Sequence, residues 1–131
     1  MSEPKRMKAM TLPAYGTLAL REVEIPQPDA TSLLVEVVAA SVNAADAHIV
    51  YGTPFPVRFA VGLTRPTLLA PGADVAGRVI SVGAEVAGFV VGDEVVADLS
   101  ATGFGGFAEQ VCAPARVWAR KPPGLSFSDA A

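Results

Sequence analysis

His48 is the only histidine in the chain, and it falls within Asn43 to Tyr51, a run that reads as a short helix. An imidazole changes charge near neutral pH, so a histidine facing a cleft is a candidate for moving a proton. Asn43 is a natural N-cap for this run, Ala44, Ala45 and Ala47 favour helix, Asp46 stands in the first turn and Gly52 provides a stop. His48 lies one turn beyond Ala44, and this spacing predicts that it faces the same cleft as Asn43. His48 is therefore a candidate catalytic residue. Tyr51 and Phe55 follow closely, and they are candidates for lining an aromatic substrate pocket. Asp46 reads first as a structural acceptor for backbone N–H groups, with contact to a cofactor as its functional alternative. Asp74 carries the same balance.

Cys112 stands alone. One cysteine excludes an intramolecular disulfide and any zinc cluster built from several thiolates, and it fits a reducing compartment. Its place within Phe107-Ala108-Glu109-Gln110-Val111-Cys112-Ala113 predicts a packed thiol in a strand rather than a nucleophile. Trp118 is expected to pack in the core or at an edge. Gly103-Phe104-Gly105-Gly106 has the glycines of a phosphate-binding loop, but no strand-turn-helix context follows it, so a hairpin-like loop is expected.

The elements that must position these residues are short strands. The chain has 131 residues, close to the modal size of one domain, and 51% of them are hydrophobic against 18% charged, so one packed core is expected. Twelve glycines and eleven prolines cut the chain into brief runs rich in Val, Leu and Ala, the pattern of an all-β domain. The expected strands are 8–12, 18–23, 33–41, 76–82, 94–98, 107–113 and 117–121. The run 33–40 is the strongest, and its continuous apolar character predicts burial on both faces. A second helix starts at Ser126 or Ser128. Thr53 to Gly72 contains Pro54, Pro56, Pro66 and Pro71, which predicts a long loop without much regular structure.

The charge pattern excludes whole classes of partner. With a net charge of −3 and scattered acids and bases, no basic face exists for nucleic acid. The one basic knot, Lys5-Arg6-Met7-Lys8, falls at a terminus whose first six residues are expected to be flexible. No stretch reaches the roughly 18 apolar residues needed to span a bilayer, and the N-terminus lacks an apolar signal region, so the cytoplasm is the expected location.

Five motifs now matter together: Met7-Lys8-Ala9, Ala39-Ala40-Ser41-Val42-Asn43-Ala44-Ala45-Asp46, the glycine-punctuated stretch Pro71 to Val96, Gly105-Gly106-Phe107-Ala108-Glu109 and Leu125-Ser126-Phe127-Ser128-Asp129-Ala130-Ala131. In this order and spacing the chain resembles the GroES-like substrate domain of the medium-chain dehydrogenases/reductases, over essentially its whole length. The resemblance implies a mainly β fold, a partly open GroES-like barrel with one or two short helices. In complete members a Rossmann domain follows, holding NAD(H) or NADP(H), with substrate in the cleft between the domains.

Zinc-dependent members place a Cys ligand where this chain has Asn43 and a His ligand where it has Ala73, and their four-Cys lobe is replaced by 99–106. The resemblance therefore points to the zinc-free quinone oxidoreductases, with no metal ligand in this chain. In them a conjugated quinone or enone accepts hydride while its oxygen takes up negative charge, which hydrogen-bond donors stabilise. Asn43 is the implied side-chain donor, serving both substrate and cofactor, and Asp46 is the second cofactor-side residue. At the helix position of His48 many such enzymes carry tyrosine.

The dinucleotide fingerprint Gly-x-Gly-x-x-Gly occurs nowhere in the chain. Residues 126–131 match the start of the connection to the second domain, so the expectation is one domain, 1–131, of a longer NADP(H)-dependent oxidoreductase, without turnover on its own. Two alternatives stay open: a standalone GroES-like binding or assembly module, and a zinc-type alcohol dehydrogenase domain with degenerate ligands. The expected partners are a small quinone or enone, the absent Rossmann domain and further copies of the chain, with no nucleic acid and no membrane.

Overall fold

The computed structural model describes residues 3–131; Met1 and Ser2, part of the segment expected to be flexible, lie outside the described residues. Among the described residues seven strands form: β1 (Arg6–Ala14), β2 (Thr17–Glu24), β3 (Ser32–Ala40), β4 (Asp74–Val82), β5 (Glu94–Asp98), β6 (Gln110–Pro114) and β7 (Trp118–Arg120). Every expected strand is present; in β1, β3, β4, β5 and β6 side chains enter a core, whereas β2 is held by pairing with β1 and buries no residue. Arg6, placed by sequence in the flexible terminus, opens β1 and donates to the Glu22 carbonyl of β2.

β1 and β2 make a two-stranded antiparallel ribbon, and the other strands form a five-stranded antiparallel sheet in the order β6-β3-β4-β5-β7. The two sheets are stitched by residues 107–109. Met10 N donates to the Phe107 carbonyl (2.8 Å), Glu109 N to the Lys8 carbonyl (3.0 Å), and Val37 N to the Glu109 carbonyl (2.9 Å). The result is a partly open barrel, mainly β. Its main core joins Leu33 and Val35 of β3 to Val75, Val79, Val95, Val111 and Trp118. A smaller cluster of Leu12, Ile49 and Val61 lies beneath the helical segments.

Among the described residues three α-helices are present: α1 (Ala44–Tyr51), α2 (Arg58–Val61) and α3 (Phe127–Ala130). α2 corrects the expectation of an irregular 53–72 segment, since the Pro54-Phe55-Pro56 stretch enters a 3₁₀ turn at Phe55–Val57 that runs directly into the helix. Proline is well tolerated in a first turn, where its missing N–H would have no partner. α3 packs on β3 and β4, with Arg78 and Lys121 stacked over the Phe127 ring at 4.7 and 5.2 Å.

β3 departs from expectation in its second half. Ser32 to Val35 are buried on both faces, but from Glu36 onward exposure alternates, and Val38 is 44% exposed. The outer half has core on one side only. The strand expected to start at Phe107 begins instead at Gln110, because 107–109 are spent on bridging β1.

β3 and β4 lie in close backbone contact at Gly77. A Cβ placed there would stand 1.9 Å from the Glu36 carbonyl oxygen, a backbone atom that cannot step aside. Gly77→Ala is therefore expected to destabilise the fold by about 3 kcal/mol or more. Equilibrium urea unfolding measures this, and a loss below about 1 kcal/mol would show that the sheet yields.

Candidate functional site

The register of β3 against β4 sets the site. Ala40 pairs with Val75, and Ser41 N donates to the Asp74 carbonyl at 3.0 Å, so the end of β3 lies beside the start of β4. The chain then turns into α1. Asn43 is extended (φ −134, ψ 178), and its Oδ1 accepts from Ala45 N (2.9 Å) and Asp46 N (3.3 Å). Asp46 Oδ2 reciprocates by accepting from Asn43 N at 2.9 Å, which completes a capping box. With its oxygen held by the helix, the Asn43 amide has one orientation. Nδ2 points to Asp74 and donates to Oδ2 at 2.6 Å. An amide nitrogen carries two protons, and the second has no acceptor among the described residues. Asn43 itself is half-buried.

The structure places the other sequence candidates in three different settings. Asp46 is only 2% exposed; its carboxylate is occupied in holding the helix start, and its Oδ1 is buried without a partner among the described residues. Its carboxylate holds Asn43 N and the start of α1. His48 is exposed, and its Nδ1 lies 2.8 Å from the Thr53 carbonyl, beyond the C-terminal end of α1. A carbonyl only accepts, so Nδ1 carries the proton. Five residues of helix rotate a side chain by about 140° relative to the first, which is why the one-turn spacing from Ala44 does not bring His48 round to Asn43.

Tyr51 and Phe55 are 60% and 58% exposed, and the Phe55 and Phe59 rings meet edge to face with centroids 5.9 Å apart. The Phe55 and Phe59 rings form an open aromatic shelf beyond the far end of α1, where Tyr51 stands. At 1.5 Å per residue, Tyr51 lies about 12 Å along the helix from Asn43.

Cys112 is half-buried in β6, and burial, reinforced by the charge of Asp29, pushes its thiol pKa upward. Trp118 is buried, with Nε1 donating to the Ala113 carbonyl at 3.3 Å. No group of three or more metal-ligating side chains converges among the described residues. Sequence reasoning missed the partnership of Asn43 with Asp74, two residues 31 positions apart, and it missed Phe104. Phe104 adopts φ 64, between Gly103 (φ 95) and Gly105 (φ 101). The flanking glycines were the available signal.

Three measurements follow from this geometry. Asn43→Ala, which removes both the cap and the bond to Asp74, is expected to cost about 1–2 kcal/mol in chemical unfolding. Asn43→Asp retains a capping acceptor but sets a second carboxylate against Asp74, so its stability deficit at pH 7 should shrink as pH falls toward 4. Alkylation of Cys112 by iodoacetamide should reach its plateau at higher pH than that of a free cysteine peptide, because only the thiolate reacts and burial disfavours it.

Residues 29–123 match the family model described as alcohol dehydrogenase GroES-like domain. A chloroplastic quinone-oxidoreductase homolog from Spinacia oleracea is 37% identical, over 97% of this chain and 38% of its own length. The chloroplastic NADPH-dependent alkenal/one oxidoreductase of Arabidopsis thaliana is 35% identical over 99% of this chain and 35% of its own length. Among solved structures, the quinone oxidoreductase from Coxiella burnetii superposes with a TM-score of 0.82 at 29% identity, covering 96% of this chain and 40% of that one. The chain thus spans about two-fifths of the length of the relatives it matches. The family model covers most of the chain, from the approach to β3 through to the residues after β7, and the ordered motifs agree with it: this chain belongs to the alcohol dehydrogenase GroES-like domain family.

Proposed function

We propose that the chain is the substrate-side domain of an NADP(H)-dependent oxidoreductase that reduces quinones or enones without zinc. The observation that carries this reading is the Asn43 amide, fixed by α1 on one side and by Asp74 on the other, with one N–H left free. A donor held in place before the reaction stabilises charge developing on a substrate oxygen without reorganising. The names of the Spinacia and Arabidopsis relatives support the substrate class and the cofactor.

The nicotinamide supplies hydride when bound. The residues of this chain suit only its reactive end. Asn43 offers a neutral donor there, whereas the Gly103–Gly106 segment leads into an irregular stretch and β6 and not into a helix, so it provides no helix N-terminus for a pyrophosphate. A second domain would hold the rest of the cofactor. Asn43 binds and orients the substrate oxygen, Asp74 and Asp46 position Asn43, and the Tyr51 and Phe55 rings receive the apolar part of a substrate extended along α1. His48, exposed at the helix end, would act at this shelf and not at the oxygen. Zinc independence rests on Asn43 and Ala73, because an amide and a methyl group cannot replace thiolate and imidazole ligands. Among the described residues no helix is long and apolar enough to cross a membrane, and we retain the cytoplasmic location as part of the proposal.

In the enzyme formed by this chain joined to a matching Rossmann domain, NADPH oxidation should depend on an added enone, and Asn43→Leu should lower kcat/KM by about 100-fold while the protein remains folded. The 131-residue chain alone should show no NADPH oxidation. Metal analysis of the joined enzyme should find zinc far below one equivalent. Activity that vanishes with a chelator and returns with Zn²⁺ would instead favour the zinc-type reading.

A further inference from the structure

A cavity of about 530 Å³ opens between the α2 segment and the loop after β5, away from Asn43 and the Tyr51 shelf in its lining. Ala60, Val61, Thr67 and Leu68 form one side, and Ser100 and Phe104 belong to the other. Its volume falls within the range of small-molecule sites. No residue of its lining is charged. Of its hydroxyl groups, that of Thr67 is also spent: Thr67 Oγ1 donates to the Val61 carbonyl at 3.3 Å. An anion entering here would lose water and find no side-chain cation to replace it.

Phe104 makes this cavity more than a packing gap. A bulky side chain at φ 64 is a backbone outlier, and the glycines at φ 95 and φ 101 on either side allow the chain to reverse there. The conformation turns the Phe104 ring onto the small core of Leu12, Ile49 and Val61, with Leu68 beside it. Such strain persists only where surrounding structure over-determines it, and it concentrates at binding sites. Phe104 N is anchored to the Leu99 carbonyl at 3.0 Å, so the ring is held by backbone and by packing alike.

We infer that this cavity is a binding site for an uncharged, mainly apolar small molecule, with the strained Phe104 ring as one wall. The inference is independent of the quinone or enone reading, because it concerns binding by this chain without cofactor. The test is an amide-resolved NMR titration of the ¹⁵N-labelled chain with 2-heptanone, and in parallel with heptanoate, which has the same chain length and a negative charge. Saturable shifts at 60–68 and 100–104 with 2-heptanone are expected, with heptanoate at least tenfold weaker. Phe104→Gly adopts the same backbone without strain and removes the ring, so it should remain folded and bind 2-heptanone at least fivefold more weakly. Leu20→Ala, on exposed β2, should leave binding unchanged. Absence of saturation, shifts confined to 51–55, equal binding of heptanoate, or full affinity in a folded Phe104→Gly would each overturn the inference.

Discussion

Where β3 and β4 run past each other, the Glu36 carbonyl occupies the space that a side chain at position 77 would need. That contact fixes the separation and register of the two central strands, and much else is referred to it. Val35 and Val79 meet in the core on one side of it. On the other, Ala40 lies opposite Val75, so the last residues of β3 reach the first residues of β4 just as the chain leaves for α1. A slip of one residue would send the inward valines to the other face and separate Asn43 from Asp74. The geometry of the site is in this sense a property of the sheet.

Polar groups around Asn43 form a small closed economy. The side-chain oxygen serves the helix, the backbone N–H is taken by Asp46, and one amide proton is taken by Asp74. Each bond removes a rotational choice, and together they leave one amide proton of Asn43 without an acceptor among the described residues. Asp46 bears the cost, with one buried carboxylate oxygen lacking a partner among the described residues. Such exceptions call for a reason, and here it is the fixed start of α1. The network organises a donor and not a nucleophile, in keeping with a half-buried Cys112 whose thiol is driven toward its neutral form.

The connections are where this domain departs from a plain sheet. α2 and the 3₁₀ turn before it place Val61 under the β1–β2 ribbon, while Arg58 stacks over Tyr15 at 4.3 Å and donates Nε to the Gly52 carbonyl at 3.0 Å. The segment is thereby tied to both α1 and β1. The loop after β5 closes against it through Phe104. Loops on a rigid scaffold vary more readily than the strands beneath them, and the cavity and the aromatic shelf both sit on them.

Local rules made much of this legible from sequence. Asn43, Asp46 and Gly52 announce a capped helix because capping is a matter of neighbours a few residues apart, and the β-branched runs announce strands because alternation along the chain is itself local. The proposed zinc independence rests on the identity of Asn43 and Ala73 together with the family resemblance that marks their positions. Tertiary structure decided the rest. Asp74 as the partner of Asn43, residues 107–109 as a bridge to β1, the exposed outer half of β3 and the inward ring of Phe104 all depend on segments far apart in the chain. Sequence determined which residues can cap, alternate or ligate; only the packed sheet determined which of them meet, because register and burial are set by every strand at once.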